Sequence, residues 1–328
     1  MKQLMDMSLL PAPACIANVS FQSELDYLLD TYTLQMREEN EDATFPRPLV
    51  SDPAYQILST VAYRMGIRRQ ELNEACLATM LAYATDSDLD HIGANHGVER
   101  LVDTPENLDA DPVVPAVMES DDRFRHRIQL KLESISTAGA SGAYEYHVLS
   151  VSTDIVGVFI DTPVFSRVLS HSLIDQPNVI ALQVQYDARI AQPMPGDVAI
   201  TVLLKPDTDT ALFDEAALAL NGEFVRPVTD HPILLPAEVI EYEVHATLYF
   251  YPGPSPEPAL EAAQAALEAY TEQMYQLGYD IAVSGLHGAA HQAGVQRVEL
   301  NIADDIVIES HQASRCTAIT LVIGGRDV

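Results

Sequence analysis

The sequence predicts a multidomain α+β protein, because three stretches of the chain carry three different apolar patterns. The first hundred residues have long helical stripes, the middle has short β-rich runs between Pro and Asp turns, and the last third pairs a strand with helices. At 328 residues the chain exceeds one ordinary core. We expect an N-terminal, bundle-forming helical region (1–102), an acidic Pro-rich linker (103–118), a β-rich middle α/β domain (119–235) and a C-terminal α+β domain (236–328).

The N-terminal region is predicted to hold two long helices. Apolar residues recur every three or four positions from about Ser20 to Asn40, and Asp52 followed by Pro53 is a strong start for the second helix. The second stripe runs across about thirty residues and has a roughly heptad spacing. A stripe of that length needs other helices to cover it, from this chain or from a partner. Its expected interface residues are Tyr55, Leu58, Ala62, Met65, Leu72 and Cys76.

A segment from Thr85 to Gly97 contains three aspartates at alternate positions and two histidines, which raises the question of a metal site. An EF-hand loop would need a glycine where His91 stands and a glutamate where Gly97 stands. His91 and His96 are five apart, so they do not share a helical face for zinc. We therefore expect a short capped helix that serves as a structural junction.

Glycine- and proline-containing breaks divide the middle region into two helices, three strands and a further helix. The helices are expected near residues 124–135, 143–150 and 212–220, and the strands near 155–160, 179–186 and 198–204.

The C-terminal third predicts a β-α-α-β-β order with helices on one face of a mainly antiparallel sheet. Residues 238–251 alternate apolar and polar, a helix follows the prolines up to Gly278, and a shorter helix and two strands come after it. The stripe of the longer helix, which packs on its own domain or on a partner, includes Leu260, Leu267 and Met274.

Composition excludes several classes of protein. A formal charge of −30 disfavours binding to nucleic acid, and no run of eighteen apolar residues predicts a membrane span. The N-terminal stretch lacks the pattern of a secretory signal, so we expect synthesis in the cytoplasm. Cys15, Cys76 and Cys316 are far apart in sequence and are expected to be reduced.

No motif predicts catalysis, and we expect no catalytic residue, cofactor or metal ion. His287 and His291 are four apart on a predicted helix, but the glutamate of HExxH is absent and no third ligand can be named. There is no GxSxG elbow for a serine nucleophile. Long apolar stripes without a chemical signature favour an interaction protein.

Seven separated blocks together resemble the baseplate J-like family of contractile-tailed phages, in the family's order and over almost the whole chain. They include "LMDMSLLPAP", "NEACLATMLAYATDSDLDHIGANHGVERL", "PAVMESDDRFRHRIQLKLESISTAGASGAYEYH", "LNGEFVRPVTD", "EYEVHATLYFYPGPSPEP", "GVQRVELN" and "QASRCTAITLVIGG".

The resemblance implies a structural wedge subunit of the virion that builds the ring around the tail tube and relays the contraction trigger. It implies two copies joined to a tail protein I-like subunit through an N-terminal bundle, C-terminal self-association, and contacts with other baseplate proteins near the tube and the start of the sheath. The alternatives are a phage-tail-like bacteriocin or injection device and, in another class, a tail-associated metal-dependent hydrolase using His287 and His291.

Overall fold

The computed structural model describes residues 5–11, 13–135, 141–168, 180–222, 225–253 and 255–326. These form a mixed α/β protein of two compact units, one made of residues 1–100 and 120–128 and the other of residues 101–119 and 129–328. Among the described residues, no helix combines the length and the apolar character needed to cross a membrane. The predicted glycine-rich break at 138–142 lies largely outside the described residues.

The first unit is helical, and its helices begin close to where the sequence predicts. The Ser20 hydroxyl caps the first helix by accepting from the amide of Ser23 at 3.4 Å. Asp52 precedes the second helix, but its carboxylate accepts from the amide of Leu49 at 2.7 Å and caps no amide of the helix. The helices are α1 (Phe21–Glu39), α2 (Pro53–Ala78), α3 (Asp86–Asn95) and the start of α4 (Asp121–Ser134), after a short 3-10 helix at Met7–Leu9.

The segment expected to be an open linker is a hairpin in the second unit. Strand β1 (Val102–Thr104) pairs antiparallel with β2 (Val117–Met118), and Asn107 and Val114 form a further bridge between them. The amide of Glu119 donates to the carbonyl of Leu101 at 2.9 Å, so the two ends of the segment are held together. Composition predicted an exposed segment correctly, but it did not indicate this pairing.

The middle region contains a three-stranded sheet in the order β3-β6-β7 and a separate two-stranded sheet, β4-β5. β6 is buried along almost its whole length, which explains its continuous apolar run. The predicted strands and helices are present, apart from residues 169–179, which are outside the described ranges. The elements are α5 (Ser141–Leu149), β3 (Ile155–Asp161), β4 (Val164–Arg167), β5 (Leu182–Tyr186), β6 (Asp197–Leu204), α6 (Leu212–Leu220) and β7 (His231–Pro236).

The C-terminal elements have the predicted β-α-α-β-β order, but the sheet is mixed rather than mainly antiparallel. β8 is central, β9 pairs with it antiparallel and β10 pairs with it parallel. β9 occupies one edge, and the connection between β9 and β10, where Ile306 bridges Ile281, returns the chain to the other edge. The elements are β8 (Glu238–Phe250), α7 (Glu257–Gln273), α8 (Val283–Ala290), β9 (Val295–Leu300) and β10 (Gln312–Arg326).

Candidate assembly surfaces

Helices α1 and α2 form a hairpin in which α1 covers one face of the predicted α2 stripe. Leu25 and Leu29 of α1 are buried with Ala62 of α2, and Tyr55 and Leu58 pack against this cluster. Ala62 is therefore fully covered inside the chain, which corrects the expectation that it contacts a partner. Tyr55 and Leu58 are only partly buried, and their role as interface residues stays a prediction. Hydrophobic periodicity located the buried face of the helix but could not say which helix covers it.

A second row of apolar residues on α2 stays exposed. It lies on a different face of the helix, displaced by about one residue position from the predicted stripe. Ile57, Val61 and Leu72 present large exposed side chains there, with Leu72 at 69% exposure. Val61, Met65 and Leu72 line a shallow groove of ≈ 380 Å³. Of the predicted interface residues, Met65 and Leu72 thus remain available on this surface, which we call the α2 seam (Ile57, Val61, Met65, Leu72).

Arginines border the α2 seam in a strongly acidic protein. Arg64, Arg68 and Arg69 line the groove, and no acidic residue lies between Asp52 and Glu71 in the sequence. Arg68 pairs with Glu71 at 2.8 Å and Arg69 with Glu24 at 2.9 Å, whereas Arg64 is exposed. An apolar groove with cationic borders is complementary to an amphipathic helix with acidic flanks.

The segment before α1 is anchored on α2 by a buried asparagine. Asn73 is buried, its side-chain amide donates to the carbonyl of Ala17 at 2.9 Å, and its oxygen accepts from the amide of Ala17 at 3.0 Å. Cys15 and Cys76 form a disulfide beside it, which corrects the expectation that both are reduced and that Cys76 faces a partner. The two cysteines are 61 residues apart in the sequence, so the sequence alone did not predict the disulfide. Only the folded hairpin brings them together.

In the segment from Thr85 to Gly97, Asp90 forms an ion pair, and the amide of Asp86 donates to the carboxylate of Asp121 at 3.1 Å. Asp90 pairs with Arg100 at 2.7 Å, and the same guanidinium reaches Asp121 at 2.7 Å. The segment is helix α3, as predicted, and Gly97 has a φ of 67° just after it. Within the described ranges, no group of three His, Cys, Asp or Glu side chains is placed to hold a metal ion, so neither this segment nor His287 and His291 gains a third ligand there.

Sequence reasoning missed the role of the basic run around Phe124. Phe124 is fully buried, and the guanidinium of Arg100 lies 4.7 Å from the centre of its ring. Arg127 is also buried and donates to the carbonyl of Glu99 at 2.6 Å, while Arg125 donates to the carbonyl of Ala84 at 2.8 Å. These cations therefore hold the turn around α3 together and are not a free basic patch.

The α7 stripe faces its own sheet. Leu267 is fully buried in the core of the C-terminal sheet, and Leu260 and Met274 pack against that core. Leu267 is therefore covered inside its own domain, which is one of the two alternatives that the sequence left open, while Leu260 and Met274 are only partly buried and stay predicted interface residues. In the same core, the Tyr242 hydroxyl is buried and has no hydrogen-bond partner among the described residues. Burial raises the pKa of this hydroxyl.

A cleft of ≈ 930 Å³ opens beside β10. One wall is the first half of β10, from Arg315 to Ile319, and another is the exposed side of α7, including Glu268 and Glu272. Lys205 also lines the cleft, but its ammonium is paired with Asp103 at 2.6 Å. Among the described residues that line the cleft, no nucleophile is paired with a base.

Comparisons with known proteins find similar sequences and structures. The family model for the baseplate J-like N-terminal domain matches residues 51–107, which contain α2 and α3, and the model for the baseplate J-like C-terminal domain matches residues 242–322. Baseplate protein J of Escherichia phage P2 is 39% identical over 329 residues, covering 99% of this chain and 99% of that protein. A chain in the six-fold symmetrised cryo-EM structure of the anti-feeding prophage baseplate matches with 13% identity and a TM-score of 0.35, over 63% of this chain and 43% of that one.

Proposed function

This chain belongs to the baseplate J-like protein family, and from that premise we infer how it is built into a phage tail. It is a structural subunit of the baseplate of a contractile tail, it is located in the virion, and it associates with other baseplate proteins. Its finer role is to form the wedge that closes a ring around the tail tube and to relay the contraction trigger through a change in packing.

The α2 seam is the observation that best supports this role. Apolar side chains that α1 does not cover lie along α2, and Arg64 and Arg68 border them. Packing this seam against another helix removes apolar surface from water, at roughly 1.5 to 3 kcal/mol for each fully buried large side chain. We propose that the helix it receives comes from a tail protein I-like subunit, in a bundle that also contains a second copy of this chain.

The other two predicted domains take the remaining roles in the proposal. Residues 236–328 associate with further copies, and residues 119–235 connect them to the helical region. The proposed boundary falls at the end of β7, whose last residue is Pro236, just before β8 begins at Glu238.

Inactivating the gene for this chain in its phage and imaging the lysate tests the role. We expect the mutant to lack tails with baseplates and a plasmid copy to restore them. Normal, contractile particles in the mutant would contradict the proposal. If the gene cluster encodes a genome-free injection device, the same loss will appear in tail-like particles that lack heads.

We propose no catalytic activity for the chain. The Nε2–H of His291 donates to the carbonyl of Gln296, 3.3 Å away, which is an ordinary structural contact. Stoichiometric zinc in the purified protein, lost together with a hydrolytic activity in a His291→Ala variant, would instead establish the tail-associated hydrolase.

A further inference from the structure

A covalent and a non-covalent contact hold the segment before α1 at the same place on α2. Cys15 is bonded to Cys76, and two residues further along the chain the backbone of Ala17 makes two hydrogen bonds with the side chain of Asn73. Asn73 and Cys76 are three residues apart on α2, so they are neighbours on the surface of the helix. Both contacts therefore act on one short stretch of chain, which we call the latch segment (15–17).

One end of this disulfide is open to solvent. Cys15 is exposed and Cys76 is half-buried, whereas burial raises the pKa of the Cys316 thiol and makes that cysteine less reactive. Disulfides that thiols can reach are the ones that are reduced and formed again most readily, while buried structural disulfides resist reduction. The bond between Cys15 and Cys76 therefore has the accessibility of a disulfide that opens and closes.

The chain passes through two redox environments. We expect it to be synthesised in the cytoplasm, where glutathione and thioredoxin keep thiols reduced. As part of the virion it then leaves the cell for an oxidising medium, in which disulfides form and persist. Cys15 and Cys76 are the two cysteines that the fold brings together for a response to this change, since Cys316 has no disulfide partner.

We propose that Cys15 and Cys76 form a redox latch, which is a dithiol while the chain is assembled and a disulfide in the released particle, where it locks the segment before α1 onto α2. This inference goes beyond the proposed function and uses only the location of the chain in the virion. The disulfide closes a loop that spans a sequence separation of 61 residues and contains all of α1, so it restricts how far the α1–α2 hairpin can open.

The oxidant is a low-molecular-weight disulfide such as oxidised glutathione. One thiolate of the pair attacks a sulfur of the oxidant, which breaks the S–S bond of the oxidant and forms a mixed disulfide with the protein. The second thiolate then displaces the bound half of the oxidant and forms the bond between Cys15 and Cys76. The cysteine pair loses two electrons, and the two protons end on the two small thiols that are released.

Asn73 is a positioning residue for this reaction. Its two hydrogen bonds to Ala17 do not depend on the redox state, so they hold the latch segment against α2 when the sulfur atoms are reduced. Holding two thiols close together raises their effective concentration, which favours the disulfide within the protein over the mixed disulfide. The hydrogen bonds of Asn73 therefore set how easily the latch closes.

Equilibrating the purified full chain with glutathione buffers of increasing oxidised fraction tests the latch, with the free thiols counted by mass spectrometry after alkylation. The wild type should change from three free thiols per chain to one, because Cys316 stays free. Asn73→Ala should lower the equilibrium constant for closing the disulfide at least about fivefold. Asn40→Ala is the matched control, since its exposed side chain contacts only its own helix end, and it should close like the wild type.

Amide hydrogen exchange measures whether the disulfide locks the segment. The amide of Ala17 should exchange at least about tenfold faster in the reduced chain than in the oxidised chain. In Cys15→Ser it should exchange at the faster rate in both buffers, while in Cys316→Ser the difference between the two buffers should persist. Equal rates in the reduced and oxidised wild type would overturn the inference.

The thiol state in the phage is the closing measurement. Phage-producing cells and purified particles are quenched in acid and alkylated, and the peptides that contain Cys15 and Cys76 are compared. We expect alkylated peptides from the cells and linked peptides from the particles. Linked peptides in the cells, or free thiols in the particles, would overturn the latch. If inactivating the gene still removes the baseplates in either case, the failure belongs to the latch and not to the proposed function.

Discussion

Leu72→Asp on the α2 seam gives the sharpest test of the helical interface. Leu72 is 69% exposed in the isolated chain, so replacing it should change the free energy of unfolding by no more than about 0.5 kcal/mol. In the assembled bundle, by contrast, the lost burial costs about 1 to 2 kcal/mol and an unpaired buried carboxylate costs about 3 to 5 kcal/mol more. The affinity for the neighbouring tail protein should therefore fall by about a thousandfold or more.

Isothermal titration of the purified chain with the adjacent tail gene products measures this loss, and thermal unfolding of each variant checks the fold. Leu218→Asp is the matched control, since Leu218 is a leucine of α6 with 78% exposure. It should bind like the wild type. Leu58→Asp is a poor probe, because Leu58 packs against the α1–α2 core and the substitution would unfold the hairpin. Wild-type affinity in Leu72→Asp would refute the assignment of the seam.

Two further predictions concern the stability of each unit. Asn73→Ala removes both hydrogen bonds to Ala17 and should destabilise the anchored N-terminal segment by about 2 kcal/mol. The measurement is amide hydrogen exchange, which should become faster at Ala17. Asn40→Ala, at an exposed site, should leave the exchange rate of that amide unchanged. Burial and the Lys131 ammonium lower the pKa of His147, so the unfolded chain binds its proton more readily. The stability that neutral His147 provides is therefore present above the ordinary histidine pKa near 6.5 and is lost as the pH falls below it. His147→Gln should flatten this part of a plot of unfolding free energy against pH. An unchanged slope would contradict the prediction.

Local sequence signals predicted most elements because they depend on nearby residues. The Ser20 cap, the proline at the start of α2 and the alternation along β8 each fix a backbone state within a few positions. The parallel pairing of β10 could not be predicted this way, because alternation indicates which face of a strand is buried but not the direction of its neighbour.

The interface residues were harder to predict for the same reason. Periodicity marks an apolar face, and α2 has two such faces: α1 covers Ala62, while Leu72 stays exposed. Only the tertiary contacts tell them apart. The same holds for Cys15 and Cys76, which meet only after the segment before α1 lies along α2.

The absolute mass of the complex formed with the adjacent tail proteins tests the central claim most directly. If other subunits cover the apolar seams of one copy, the purified chain and its neighbours should form one stable heteromer that contains more than one copy of this chain. Light scattering or native mass spectrometry reads the mass without any label. If the chain remains a separate monomer in that mixture, at concentrations well above those needed for assembly, its role as a baseplate wedge subunit is contradicted.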